Sequence, residues 1–123
     1  MPLLADGSVS KVGQFFTSYG PSGPDGLAMD TQGRLLVANP GLAYVWVLGP
    51  RAEPEEVLTG PAGASVTNVA FGGAERKTLF CTDSTHGNIL CLDMSVAGSP
   101  VGMARPDVSK VATSLRLQRL LHP

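Results

Sequence analysis

The sequence predicts an all-β fold made of repeated four-stranded units, and three observations carry that prediction. The chain has 15 Gly and 10 Pro in 123 residues, which disfavours a helical bundle and suits short strands joined by tight turns. Its apolar residues come in short runs rich in Val, Leu and aromatics, bounded by turn residues, a strand signal rather than a helical one. The chain also matches itself. Leu35-Leu36-Val37-Ala38-Asn39 lies over Leu79-Phe80-Cys81-Thr82-Asp83 at an offset of 44, and Val45-Trp46-Val47-Leu48 continues over Ile89-Leu90-Cys91-Leu92 without a gap. Upstream the offset becomes 42, placing Leu27-Ala28-Met29 over Val69-Ala70-Phe71 and Phe15-Phe16-Thr17 over Val57-Leu58-Thr59.

Taken in order, the opening Leu3-Leu4-Ala5-Asp6-Gly7, followed by Val9 to Thr17, reads as the last hairpin of a preceding unit, with Asp-Gly as its turn. The first full unit places strands near 26–30, 34–39, 43–48 and 55–59. Asp30 to Gly33, Asn39-Pro40-Gly41 and Gly49-Pro50 provide its turns, and Gly60-Pro61 closes it. The second unit places strands near 68–71, 78–83, 88–93 and, on a weaker pattern, 99–103. A period of 40–50 residues with four strands per repeat is the signature of a β-propeller blade. The expected architecture is therefore a partial β-propeller of about two and a half blades. Residues 1–103 form that region and 104–123 a tail, with Ser109 capping a short helix that runs through Leu121.

Composition narrows the function classes. With 43% apolar residues, 15% charged residues and a net charge of −1, the chain is not disordered by composition. Nor does its charge give a reason to expect a nucleic-acid or membrane partner. No apolar run approaches the roughly 20 residues of a membrane span, and the N-terminal residues lack the pattern of a signal peptide, so a cytoplasmic location is expected. Cys81 and Cys91 lack metal-type spacing and are expected to be reduced, partly buried thiols, with a cross-strand disulfide as the alternative.

In a propeller the innermost strand of each blade lines a central channel. The repeat puts Asp25 over Thr67 and Gly26 over Asn68, just before the two expected inner strands, so these side chains would converge at a channel mouth. Asp25 sits in Gly23-Pro24-Asp25-Gly26, which could equally be a plain surface turn. His86 is expected to be an exposed turn residue and His122 a solvated one. Asp30, Asp83 and Asp93 border strands, where turn hydrogen bonding explains them. Asn39 should start a turn, and Tyr44 and Trp46 fit packing between blades. No P-loop, dinucleotide fingerprint, zinc spacing or nucleophile elbow is present.

Gly23-Pro24-Asp25-Gly26-Leu27-Ala28-Met29-Asp30, with Gly33-Arg34-Leu35-Leu36-Val37-Ala38, resembles the PDGLxxDxxGxLxVA segment of the gluconolactonase/regucalcin (senescence marker protein) family. Thr67 to Gly73 is similar to its TNxAFGG segment. Thr78 to Ser84, with Gly87-Asn88-Ile89-Leu90, is similar to its late hairpin. The resemblance covers about residues 2–103 and the C-terminal part of the family's domain. It implies a six-bladed propeller with a divalent metal, commonly calcium, in the channel, and hydrolysis of a lactone substrate, often a sugar lactone. By the same resemblance Asp25 is a metal ligand, with Thr67 and Asn68 in supporting positions. The metal would polarise the lactone carbonyl while a positioned water attacks.

Six such units need roughly 250 residues. The chain is therefore expected to be a truncated family member, weak or inactive alone. The alternative is a non-catalytic propeller fragment or assembly module whose open strand edges bind further copies. Three copies of two blades would make a six-bladed ring, an idea opposed by the half blade expected at the N-terminus.

Overall fold

The structure, a computed structural model, describes residues 4–18 and 20–101 of the chain. Among the described residues, seven strands form two antiparallel sheets. The first sheet takes β1 (Leu27–Met29), β2 (Leu35–Asn39), β3 (Tyr44–Leu48) and β4 (Pro54–Thr59) in chain order. The second takes β5 (Val66–Gly72), β6 (Thr78–Asp83) and β7 (Asn88–Asp93). Each is an up-and-down meander, as its short connections dictate. The β1–β2 and β6–β7 turns use Gly33 at φ 78° and Gly87 at φ 69°, conformations that cost an L-residue with a Cβ.

The alternating apolar pattern decides how the sheets meet. Leu36 and Ala38 on β2 pair with Val47 and Val45 on β3, so all four point to one side of the first sheet. There they pack with Val66, Val69, Leu79 and Cys81 of the second sheet in one buried core. Burying each Leu or Val is worth roughly 1.5–3 kcal/mol, so neither sheet is independent of the other. The stacking is front to back. Leu79 and Cys81, the repeat partners of Leu35 and Val37, face the first sheet, whereas Phe80 and Ile89, the partners of Leu36 and Val45, face away from it. The sheets are thus consecutive blades of a β-propeller.

One end of the pair is closed by a clasp. Thr31 N–H donates to Ala97 C=O (2.9 Å), Ser99 N–H to Met29 C=O (2.8 Å) and Gly98 N–H to Arg76 C=O (2.8 Å). The Ser99 hydroxyl adds a bond to Asp30 C=O (2.6 Å). Gly98 is buried against Phe71, whose Cδ2 would lie 2.6 Å from any added Cβ.

That clasp corrects the expected eighth strand. Residues 99–101 form no strand beside β7. Small residues let the chain turn inward instead, and Pro100 has no N–H to give to a ladder; 102 and 103 lie outside the described residues.

The opening hairpin is also corrected. Gly7 N–H donates to Leu4 C=O (2.9 Å) and Leu4 N–H to Ser8 C=O (2.8 Å), which makes the turn. Residues 10–18 nevertheless belong to no strand, because no described strand lies beside them. Phe16 of this segment meets the first sheet, its ring 5.6 Å from that of Trp46. Tyr44 meets Trp46 edge-on at 6.0 Å.

The expected 109–121 helix and His122 lie outside the described residues. Among the described residues there is no helix, and none therefore long and apolar enough to cross a membrane.

Candidate functional site

The candidate site forms at the end of the sheets opposite the clasp, where the backbones of the two inner strands meet. Asp25 N–H donates to Ala38 C=O (3.0 Å) and Ala38 N–H to Gly26 C=O (2.9 Å), extending the β1–β2 ladder to Asp25. Gly26 N–H turns the other way and donates to Thr67 C=O of the second sheet (2.9 Å). Glycine is required at 26, because a Cβ there would strike the Asn68 carboxamide and lie 2.6 Å from Asn68 Cα. Asp25, Gly26, Thr67 and Asn68 are thereby held at one end.

Thr67 does not precede the inner strand, as the sequence suggested, but lies with Asn68 within β5. A bulge falls there: Val66 pairs with Asp83 and Asn68 with Thr82, leaving Thr67 as the extra residue. The Thr67 hydroxyl lies 2.8 Å from that of Thr82. Asn68 Oδ1 accepts the Val69 N–H (2.9 Å), which fixes the carboxamide orientation at an exposed position. Asp25 is exposed.

Sequence reasoning missed a polar knot at the same end. Asp83 is 2% exposed and accepts from Ser65 N–H (3.0 Å), Thr85 N–H (3.0 Å) and His86 Nδ1 (2.7 Å). The Ser65 amide does most to hold its carboxyl down at about 2, with His86 and Thr85 adding to it and burial opposing. Turn bonding was legible at Asp83. The reach of Ser65 across 18 residues was not.

His86 is exposed, as expected, with one ring nitrogen tied to this carboxylate. At the other end Asp30, 1% exposed, accepts from the backbone N–H groups of Gln32 (2.9 Å) and Arg34 (3.0 Å) and from Arg34 Nε (2.7 Å). Asp93 is exposed at the end of β7, and Asn39 C=O accepts the Leu42 N–H (3.4 Å) of its turn.

A cleft of about 510 Å³ opens nearby between the Gly41–Tyr44 turn and the Gly60–Ser65 connector, but Asp25, Thr67 and Asn68 do not line it. The cysteines are free. Cys81 is buried in the core, whereas Cys91, expected to be partly buried, is exposed on the third strand of its sheet. Burial, and after it the charge of Cys91, pushes the Cys81 thiol up to about 11.

Residues 3–85 match the family model of the SMP-30/Gluconolactonase/LRE-like region. The chain belongs to that family. An X-ray structure of a protein provisionally described as a gluconolactonase superposes with a TM-score of 0.68 at 27% identity. The match covers 81% of this chain and 32% of that one, so the chain spans about a third of that protein's length. No curated protein matches the chain.

The SMP-30/gluconolactonase family generally uses a divalent metal. Among the described residues no three His, Cys, Asp or Glu side chains gather to hold one. Calcium takes about 6–8 oxygen ligands. Here the candidate end offers the Asp25 carboxylate, a Thr67 hydroxyl engaged with Thr82 and an Asn68 oxygen engaged with Val69. The described residues of one chain therefore do not make a complete calcium site.

Proposed function

We propose that the chain provides two blades and part of the channel mouth of a divalent-metal-dependent lactonase, one that hydrolyses a lactone, often a sugar lactone in this family, to its hydroxy acid. The observation that carries this reading is the Gly26–Asn68 contact, which brings Asp25, Thr67 and Asn68 to one end of two stacked blades. In this reading Asp25 supplies one carboxylate ligand to the metal, calcium by the family resemblance, and the remaining donors come from outside the described residues of one copy. Asn68 helps to position substrate. With its oxygen held by the Val69 N–H, its amide N–H groups are the ones left to meet a lactone oxygen. Thr67 shapes the mouth through the bulge and its bond to Thr82.

Calcium titration by calorimetry tests the ligand role. Asp25→Asn keeps the size of the side chain and removes its charge, so it should weaken calcium binding by at least tenfold and leave thermal stability without calcium unchanged. An unchanged calcium isotherm in Asp25→Asn would remove Asp25 from the site. Hydrolysis of a sugar lactone, followed as acid release, tests the activity in the same two proteins.

A further inference from the structure

The two sheets differ in strand number, and the repeat accounts for the difference. The first sheet has four strands and the second three among the described residues. Among the described residues nothing pairs with the outer edge of β7. β7 also lacks the devices that guard an edge: β4 carries Pro54, Glu55 and Glu56, whereas β7 reads Asn88-Ile89-Leu90-Cys91-Leu92-Asp93. Beside β7 lies an apolar groove of about 270 Å³ whose walls include Leu58, Leu79, Leu90 and Leu92.

The missing fourth strand has a sequence counterpart at the other end of the chain. Phe15-Phe16-Thr17 is the repeat partner of Val57-Leu58-Thr59 on β4. Its placement agrees with that role. Leu58 packs on the second sheet, on the groove that Leu90 also lines. Phe16, its partner, packs on Trp46 of the first sheet, and Trp46 is the repeat partner of Leu90. Phe16 therefore sits where the outer strand of a preceding blade would sit, on the side of the first sheet turned away from the second, and cannot reach the β7 edge of its own chain.

We propose that copies of this chain associate head to tail, with residues 14–17 of one copy pairing with β7 of the next as its fourth strand. Strand addition to an open edge gains main-chain hydrogen bonds and buries alternate side chains. Transferring the β3–β4 register, in which Tyr44 faces Thr59, Val45 faces Leu58 and Val47 faces Glu56, sets Asn88 opposite Thr17, Ile89 opposite Phe16 and Cys91 opposite Gln14. Leu90 falls opposite Phe15, which is 50% exposed in a single copy and would enter the apolar groove.

The free faces agree with this pairing. Phe80 and Ile89 on the second sheet, and Leu27 and Met29 on the first, are exposed. They are repeat partners of residues that already pack between the two sheets within one chain. Such a contact is heterologous and either closes a ring or runs on as a filament. Each copy aligns with 32% of the full gluconolactonase-like chain, so three copies close the ring. The N-terminal half blade that opposed such a ring contributes residues 14–17 to this pairing, and the partner's sheet has a place for them. The ring also brings Asp25 of three copies to one mouth, supplying carboxylates that one copy lacks; this last step rests on the proposed metal role of Asp25.

Light scattering on the full chain should give three times the chain mass. Gln14→Cys should cross-link to Cys91 of the next copy on oxidation, since hydrogen-bonded antiparallel pairs lie about 5.5 Å apart at Cα. The covalent ladder should end at trimer and vanish when Cys91→Ser is added. Phe15→Glu should give monomers that keep Trp46 fluorescence. A monomeric wild type, a ladder running past three, a trimer without the Gln14→Cys link, or a trimer that survives Phe15→Glu would overturn the proposal. One calcium per three chains supports the shared mouth. A cross-linked trimer that binds no calcium supports the ring and overturns the metal reading alone.

Discussion

Asp83 has three donors around one carboxylate, and only the charged form can accept from all of them. Its pKa falls from an ordinary 3.8 to about 2, so the folded state binds this proton less readily than the unfolded one. A depressed carboxyl of this kind stabilises the fold above its unfolded pKa, and that contribution is lost as pH falls through the folded value. Stability should therefore decline between about pH 4 and pH 2. Asp83→Asn, with one acceptor oxygen in place of two, should be less stable at pH 7 and show a flatter decline over that acid range in urea melts at each pH. An equal decline in the mutant would mean that another carboxylate sets the acid limb. Asp30 is built on the same plan, but Arg34 completes it in place of a histidine.

At the scale of strands, one sheet buries what its neighbour in sequence exposes. Leu79 is 0% exposed in the shared core and Phe80 is 37% exposed on the outer face. Leu79→Ala should cost about 2–5 kcal/mol in chemical denaturation. Phe80→Ala should cost much less in a single copy, which would confirm which face β6 turns inward. This alternation explains what the sequence made legible. β2, β3, β6 and β7 fall within a residue of their expected positions because their apolar runs are bounded by Gly, Asn and Asp turns. β5 starts earlier than expected because the Thr67 bulge takes up one residue without changing the apolar pattern. The segment after β7 was misread because Val101 continues an apolar alternation while Gly98 and Pro100, which divert the chain, look like ordinary turn residues. At the site, Asp25 could be placed through the repeat. The Gly26–Asn68 contact could not, since it depends on how closely the two sheets stack.

On the scale of the whole molecule, the two sheets are joined by their common core, by the Gly26–Thr67 bond at one end and by the Ala97–Ser99 clasp at the other. The clasp draws on both sheets: Met29, Asp30 and Thr31 on one side, Arg76 and Phe71 on the other. Arg76 Nε also donates to Gly98 C=O (3.1 Å). Breaking it should therefore weaken both sheets together rather than free one of them. Gly98→Val forces a side chain onto the Phe71 ring and should cost about 1–3 kcal/mol, the usual range for overpacking. Two probes read the sheets separately. Trp46 fluorescence reports the first, and labelling of the Cys81 thiol, buried in the core, reports opening of the second. In the unmodified chain at fixed protein concentration both probes should give one coincident denaturant midpoint, and Gly98→Val should lower both midpoints by the same amount. If Cys81 became reactive well before Trp46 changed, the clasp would be holding the second sheet alone, and the shared core would be too weak to make two blades one cooperative unit.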